Sequence, residues 1–224
     1  MTEPPNPNLA ASLLAIHAVI SRGIDVALAQ VRSSSKLDLP NTPWREGFLN
    51  YIRALSSTVH GHHGAEDDLA FPYFRNKLRD VPYETLTEQH QQLLPILGRI
   101  DSTVAECAGH KQGGNGFRQL GRALEEIHAL WHPHIEIEEK HFTEERLRKE
   151  GVSGEEQKRL LQEIGEHNRT HTGPPYLVLP FMLYNVPPKT RPLFEAELPP
   201  EVVQQLIPVV WKSQWESMRM FLLD

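Results

Sequence analysis

Read for its apolar positions, the chain opens with four long stretches in which hydrophobic residues recur every three or four positions, the period of a helix buried along one face. The first runs from about Leu9 to Arg32 and sets Leu13, Ile20, Ile24, Leu28 and Val31 on one stripe. Ser33 to Pro43 reads as its exit loop. The second carries Phe48, Ile52, Leu55, Val59, Leu69 and Tyr73, with Pro72 marking its expected end. A third opens at Asp80-Val81-Pro82 and continues through Leu86, Leu93, Leu97, Ile100 and Val104, with Pro95 expected to kink it. The fourth follows a glycine-rich loop, Gly109 to Gly116, and carries Leu120, Leu124, Ile127, Trp131 and either His141 or Phe142. No stretch of strand period competes with these four.

The pattern predicts an all-α fold. Its body is an antiparallel up-down-up-down four-helix bundle over residues 1–150, with a proline-rich helical extension, 151–224, packing on it. In the extension, Ser153 with Glu156 is a capping box opening a helix to about His167. Gly173 to Pro200 is proline-rich around an apolar run, Tyr176 to Tyr184, and Val202 to Met220 reads as a last helix interrupted by Pro208.

Each of the four stripes is broken by a histidine: His17, His62, His90 and His134, the second followed one turn on by Glu66 and the last by Glu138. His17 and His90 lie about eight residues, ~12 Å, from the starts of their helices, and His62 and His134 about ten residues before the ends of theirs. An antiparallel bundle therefore brings all four to one level near one end. A lone His17 or His90 on a stripe is ordinarily a hydrogen-bonded core histidine. Four such breaks at one level, two with a carboxylate beside them, leave several buried polar groups without compensation unless a metal is held there.

Composition narrows the chemistry. With 39% hydrophobic and 23% charged residues the chain is neither a disordered tail nor a membrane protein in composition. No run approaches the roughly 18 uninterrupted apolar residues of a spanning helix. The start, Met1 to Asn8, is polar and proline-rich rather than signal-like, so a cytoplasmic location is expected. The net charge of -6 argues against nucleic acid or an anionic membrane as partner. Cys107 is the only cysteine, which excludes a disulfide framework and a thiolate cluster. A metal must then be held by nitrogen and oxygen, a donor set that suits iron or manganese and, by affinity, zinc.

The candidate donors are His17, His62, His63, Glu66, His90, His134 and Glu138. Glu66 stands three and four residues from His63 and His62, so the three form a triangle on one helix face. His63 is either a donor or a flanking residue. Five imidazoles and two carboxylates suffice for two ions bridged by carboxylate, with positions left for water or dioxygen. Asp67 and Glu139, next to the candidate carboxylates, read as acceptors behind the imidazoles or as surface charges. His60, His128 and His132 fall off the seams and read as solvated or capping; His141 is open between a supporting role and the surface. Tyr73, Tyr83 and Trp131 either shape a pocket or pack the core. No catalytic residue is singled out.

The order of these motifs resembles a hemerythrin-like, or HHE cation-binding, domain: His17, then His62-His63-Gly-Ala-Glu66 running into Leu69-Ala-Phe71-Pro72, then Glu88-Gln-His90, then His134-Ile-Glu-Ile-Glu138-Glu139. The resemblance covers roughly residues 9 to 148, and Pro180 to Pro188 with Trp211 to Leu223 is similar to the C-terminal part of fungal members. It implies a four-helix bundle with a non-haem centre of two iron ions that meets dioxygen, manganese and zinc standing behind iron. Oxygen-carrying hemerythrins place two histidines one turn apart on the third helix, whereas this chain has Leu94 one turn after His90. Either His63 supplies the missing imidazole from the second helix, as in some iron-sensing relatives, or one iron is left more open and better suited to activating dioxygen.

Three functions follow as expectations. The first is a protein that binds or activates dioxygen, as an oxidase or oxygenase on a small organic substrate housed in a pocket beside the metals. The second is an oxygen or iron sensor, store or detoxifier without substrate turnover. The third is a zinc or metal-free structural bundle. Substrate and oligomeric state are not given by the sequence.

Overall fold

Asn8 accepts the backbone N–H of Ala11 through its side chain and so caps α1, Leu9–Arg32, whose last turn closes with the Ser33 N–H on the carbonyl of Ala29. The computed structural model describes residues 8–33, 43–109 and 114–223. The polar start and most of the two loops anticipated at Ser33–Pro43 and Gly109–Gly116 lie outside them. α2, Pro43–Ala65, begins on a proline, which has no N–H to leave unpaired at a helix start.

Pro72 does not end the second helix. The chain passes from α2 into a π-helical turn, Glu66–Ala70, and then α3, Phe71–Phe74, with the Phe71 N–H reaching back five residues to the Glu66 carbonyl. A proline ring in an α-helix collides with the carbonyl four residues earlier, here that of Asp68; the wider turn lies over that carbonyl and lets the helical path continue. α4, Tyr83–Gly109, runs through Pro95, and α5, Gly114–His141, runs through Pro133. Both prolines are on exposed faces, where water can serve the carbonyls they leave without a donor.

Contacts between neighbours run in reverse order along each pair. His17 meets Glu139, Ser21 meets Trp131 and Arg32 meets Glu125 between α1 and α5. His90 with His134 and Arg99 with Glu126 do the same for α4 and α5, and Asp67 with Thr87, His60 with Asp101 and Arg45 with the Cys107 carbonyl for the second helix and α4. Between α1 and α2, His17 faces His62 while Gly23 lies against Leu55. The four long helices thus form an antiparallel ring, α1–α2–α4–α5.

The core divides in two. One cluster fills the long part of the bundle with Ile20, Ile24, Phe48, Ile52, Leu97, Leu124 and Trp131; the other fills the short end with Leu9, Phe71, Phe74, Leu86 and Phe142. The histidine level falls between them. α1 is long and apolar enough to cross a membrane by length and mean hydropathy. Here its Val19, Ile20, Ile24, Ala27 and Leu28 are buried in the bundle, and His17 lies on the same buried face.

The rest of the chain packs on this frame as α6 (Glu144–Lys149), α7 (Gly154–His171), α8 (Pro175–Asn185), α9 (Arg191–Glu197), a π-helical segment Val202–Val210 around Pro208, α10 (Lys212–Trp215) and a 3-10 turn, Glu216–Phe221. The Ser153–Glu156 capping box is present and opens α7. α7 lies along α2 and the π turn, α8 along α1 and α2, and the 3-10 turn on α2. Phe181, Leu183, Ile207, Trp215, Met218 and Phe221 belong to the same core cluster as the bundle helices.

Gly47 shows how close this contact is: a methyl there would overlap the backbone carbonyl of Ser217. Gly47→Ala is therefore expected to lift the C-terminal turn from α2 and destabilise the protein by about 1–3 kcal/mol. Urea denaturation of the two proteins measures it, and an unchanged midpoint would show that the turn yields without loss.

Candidate metal centre

Helical spacing supplies the side chains. α1 presents His17, α2 presents His62 and His63 from its last turn, the π turn opens with Glu66, α4 presents His90 and α5 presents His134 and Glu138. All seven are buried, none more than 8% exposed, and the structure brings all seven together. They form two groups of four within each of which one donor atom per residue lies within 4.8 Å of the others: His63, Glu66, His90 and His134, and His17, His62, Glu66 and Glu138. Glu66 belongs to both. Its Oε2 is 3.6 Å from His62 Nε2 on one side and 3.6 Å from His90 Nε2 on the other. Glu138 Oε2 is similarly placed, 3.1 Å from His17 Nε2 and 3.4 Å from His134 Nε2.

Two of the imidazoles are hydrogen-bonded from behind: His17 Nδ1 lies 3.0 Å from Glu139 Oε1 and His134 Nδ1 3.0 Å from Gln89 Oε1, while Asp67 Oδ2 stands 3.0 Å from His90 Nδ1 without forming a hydrogen bond. An acceptor behind Nδ1 favours the tautomer with its proton there and leaves the Nε2 lone pair directed into the layer. Asp67 is steadied by the hydroxyl of Thr87, which donates to it at 3.3 Å. Aromatic rings close the layer on two sides. Trp131 sits within 6.0 Å of the rings of His17, His62, His63 and His134 and donates its indole N–H to Ser21 Oγ; Phe71 stacks on His90 at 5.6 Å.

Burial sets the protonation. Loss of water, followed by the neighbouring imidazoles, holds His62 and His63 well below the usual histidine range, and burial brings His134 down to about 4. Burial, followed by the charge of Glu138, raises the Glu66 carboxyl well above the usual glutamate range. His62, His63 and His134 are thus poised as neutral imidazole, the form that donates a lone pair to a metal.

The donors fit bound metal. His17 Nε2, His62 Nε2, His63 Nε2, Glu66 Oε2 and both carboxylate oxygens of Glu138 are buried without a hydrogen-bond partner, and they belong to the two groups that share Glu66. So many orphaned polar atoms in one layer are costly for a chain with nothing to bind them. Nitrogen and oxygen donors without thiolate suit iron, manganese or zinc. Leu94 also finds its explanation: it is 49% exposed, so the position one turn after His90 faces away from the layer. His63 lies among the candidate donors, its ring stacked on that of His90 at 4.0 Å.

Other candidates fall elsewhere. Asp67 and Glu139 back imidazoles, Tyr83 is in the core of the short end, and Tyr73 donates to Glu156. His141 is half-buried against Arg146, Phe142 takes the core position, and His60 and His128 pair with acids at the surface. Sequence reasoning gave no role to Gln89, Ser21 or Phe71. Gln89 adjoins a histidine in a polar run, and nothing in the spacing marks it.

Fold and donors together define a helical cation-binding protein with a buried imidazole and carboxylate centre. The family model of the hemerythrin HHE cation-binding domain matches residues 8–171, and the chain belongs to that family. The match takes in α7 as well as the four bundle helices. Comparison with curated proteins and with solved structures gives no match.

The shifted groups give the metal-free chain a distinct pH response. In the unfolded chain histidines take up protons near pH ~6.5, whereas folded His62, His63 and His134 resist until lower pH, so their contribution is intact above ~6.5 and is lost as pH falls toward 4. His134 alone is worth about 3 kcal/mol over that window. Glu66 acts in the opposite sense, favouring the folded state in acid and losing that advantage as pH rises above the ordinary carboxylate range. Three groups outweigh one, so urea midpoints measured in chelator are expected to fall between pH 7 and 4.5, as ordinary ranges for the two residue types dictate. A His134→Ala variant should show a shallower fall; a flat profile in the unaltered chain would contradict the assignment.

Proposed function

We propose that the two donor groups hold a pair of iron ions sharing Glu66, and that the centre binds dioxygen. The observation that carries this reading is the convergence of the unpaired atoms of Glu66, Glu138 and the imidazoles on one sealed layer. His63, His90 and His134 supply three nitrogens to one position, and His17 and His62 two to the other, with Glu138 as the second carboxylate there. Reduced iron at such a centre supplies the electrons that dioxygen chemistry requires.

The chain's own residues do the rest. Glu66 and Glu138 offset the charge of the cations, Glu139 and Gln89 hold His17 and His134 in the donating tautomer, and Trp131 and Phe71 keep bulk water out. Burial of every donor favours a diatomic ligand over a larger one. Two hollows among the described residues, about 460 and 430 Å³, are lined by Arg99, Arg122 and Glu126 and by Arg45, Arg53 and Cys107, away from the seven donors. Because every donor is buried, we favour binding of oxygen or iron without turnover of an organic substrate over an oxidase or oxygenase reading.

Metal analysis of the chain produced with iron is expected to give about two irons per chain, with His63→Ala keeping about one and Glu66→Ala fewer. Mixing the reduced, iron-loaded protein with dioxygen should change its near-ultraviolet absorption, and Glu66→Ala should abolish the change. A chain that takes up zinc alone, or iron with no response to dioxygen, would refute the reading.

A further inference from the structure

Outside the buried layer, α1 and α5 bring together three side chains that the reading above does not use. Asp25 on α1 and His128 and His132, one turn apart on α5, offer a carboxylate oxygen and two ring nitrogens that all lie within 4.8 Å of one another. His128 Nε2 is 3.6 Å from Asp25 Oδ1, and the two imidazoles meet edge to face with centroids 4.7 Å apart. Asp25 and His132 are exposed and His128 is half-exposed, so as an ion pair the group contributes little in water. As a chelate it is well built. Two histidines at i and i+4 direct nitrogens to one point, and a carboxylate from the adjacent helix completes a three-donor face.

We infer that Asp25, His128 and His132 form a surface site for a divalent first-row transition metal, separate from the buried centre and open to water at its remaining positions. Metal–nitrogen bonds of about 2.0–2.1 Å set adjacent donors roughly 3–3.5 Å apart, so closure takes rotamer changes of about an ångström in side chains that are free to move. Imidazole-rich ligation orders the cations: Cu²⁺ binds above Zn²⁺, and Zn²⁺ above Mn²⁺. The bound ion ties α1 to α5 and raises the melting temperature of the folded chain.

The spacing alone does not make such a site. His167 and His171 on α7 are also one turn apart, yet their rings stack at 4.2 Å. One nitrogen of each ring is engaged, His167 Nε2 by Asp68 and His171 Nδ1 by the His167 carbonyl and the Thr170 hydroxyl, and His167 Nδ1 is buried.

The test titrates the full chain, its buried centre left as purified, with Cu²⁺, following uptake by calorimetry and electron paramagnetic resonance. The expected result is an added Cu²⁺ with nitrogen hyperfine structure from two imidazoles, affinity at least about tenfold weaker in His132→Ala, and loss of this Cu²⁺ in the His128→Ala/His132→Ala chain with its iron content unchanged. Both side chains face solvent, so the double variant keeps the fold, which its circular dichroism verifies. Selective broadening of the His128 and His132 ring protons by Cu²⁺ in the unaltered chain gives the same assignment without substitution. Unchanged Cu²⁺ affinity in the double variant, or broadening confined to other histidines, overturns the proposal.

Discussion

Desolvation of a polar layer governs this structure. Five imidazoles and two carboxylates occupy a slab between two apolar clusters, one around Phe48, Leu124 and Trp131 and one around Phe71, Leu86 and Phe142. A bundle of this kind ordinarily runs a continuous apolar seam from end to end. Interrupting it forces imidazoles into the neutral form and lifts a carboxyl far from its solution behaviour, both because charge without water is unfavourable. Metal binding converts that burden into affinity, since the donors are already dry and gathered in one layer.

The surrounding shell keeps the layer ordered. Carboxylates and an amide stand behind three imidazoles, while Trp131 touches four rings at once and is itself held by Ser21. Residues after the bundle contribute from outside. α7 lies against the π turn that opens with Glu66, and Thr172 packs so close to Gly61, the neighbour of His62, that any side chain at that glycine would overlap it. Chain beyond the four bundle helices is thus built into the wall of the centre.

Much of this could be read from the residues alone. The bounds of α1, the stripes, the capping box of α7 and the seven candidate donors are local patterns, each set by helical period or by a cap. What escaped depended on surroundings. Pro72 looked like a stop because the local rule forbids proline inside an α-helix; the structure widens the turn instead. Leu94 looked like a lost histidine until its exposure showed that the position faces outward. Gln89 carries no pattern of its own, since its role follows from where α5 places His134 across the bundle.

The π turn from Glu66 to Ala70 has a consequence for phase. A π turn holds about one residue more than an α turn, and one residue is worth about 100° of rotation. Phe71 and Phe74 therefore meet the core at an angle that an uninterrupted α-helix would not give them, while Glu66 and Asp67 approach the two ring nitrogens of His90 from adjacent positions. Removal of a single amino acid from this stretch would turn every later side chain of the helix away from its neighbour, so the locus tolerates replacement far better than shortening.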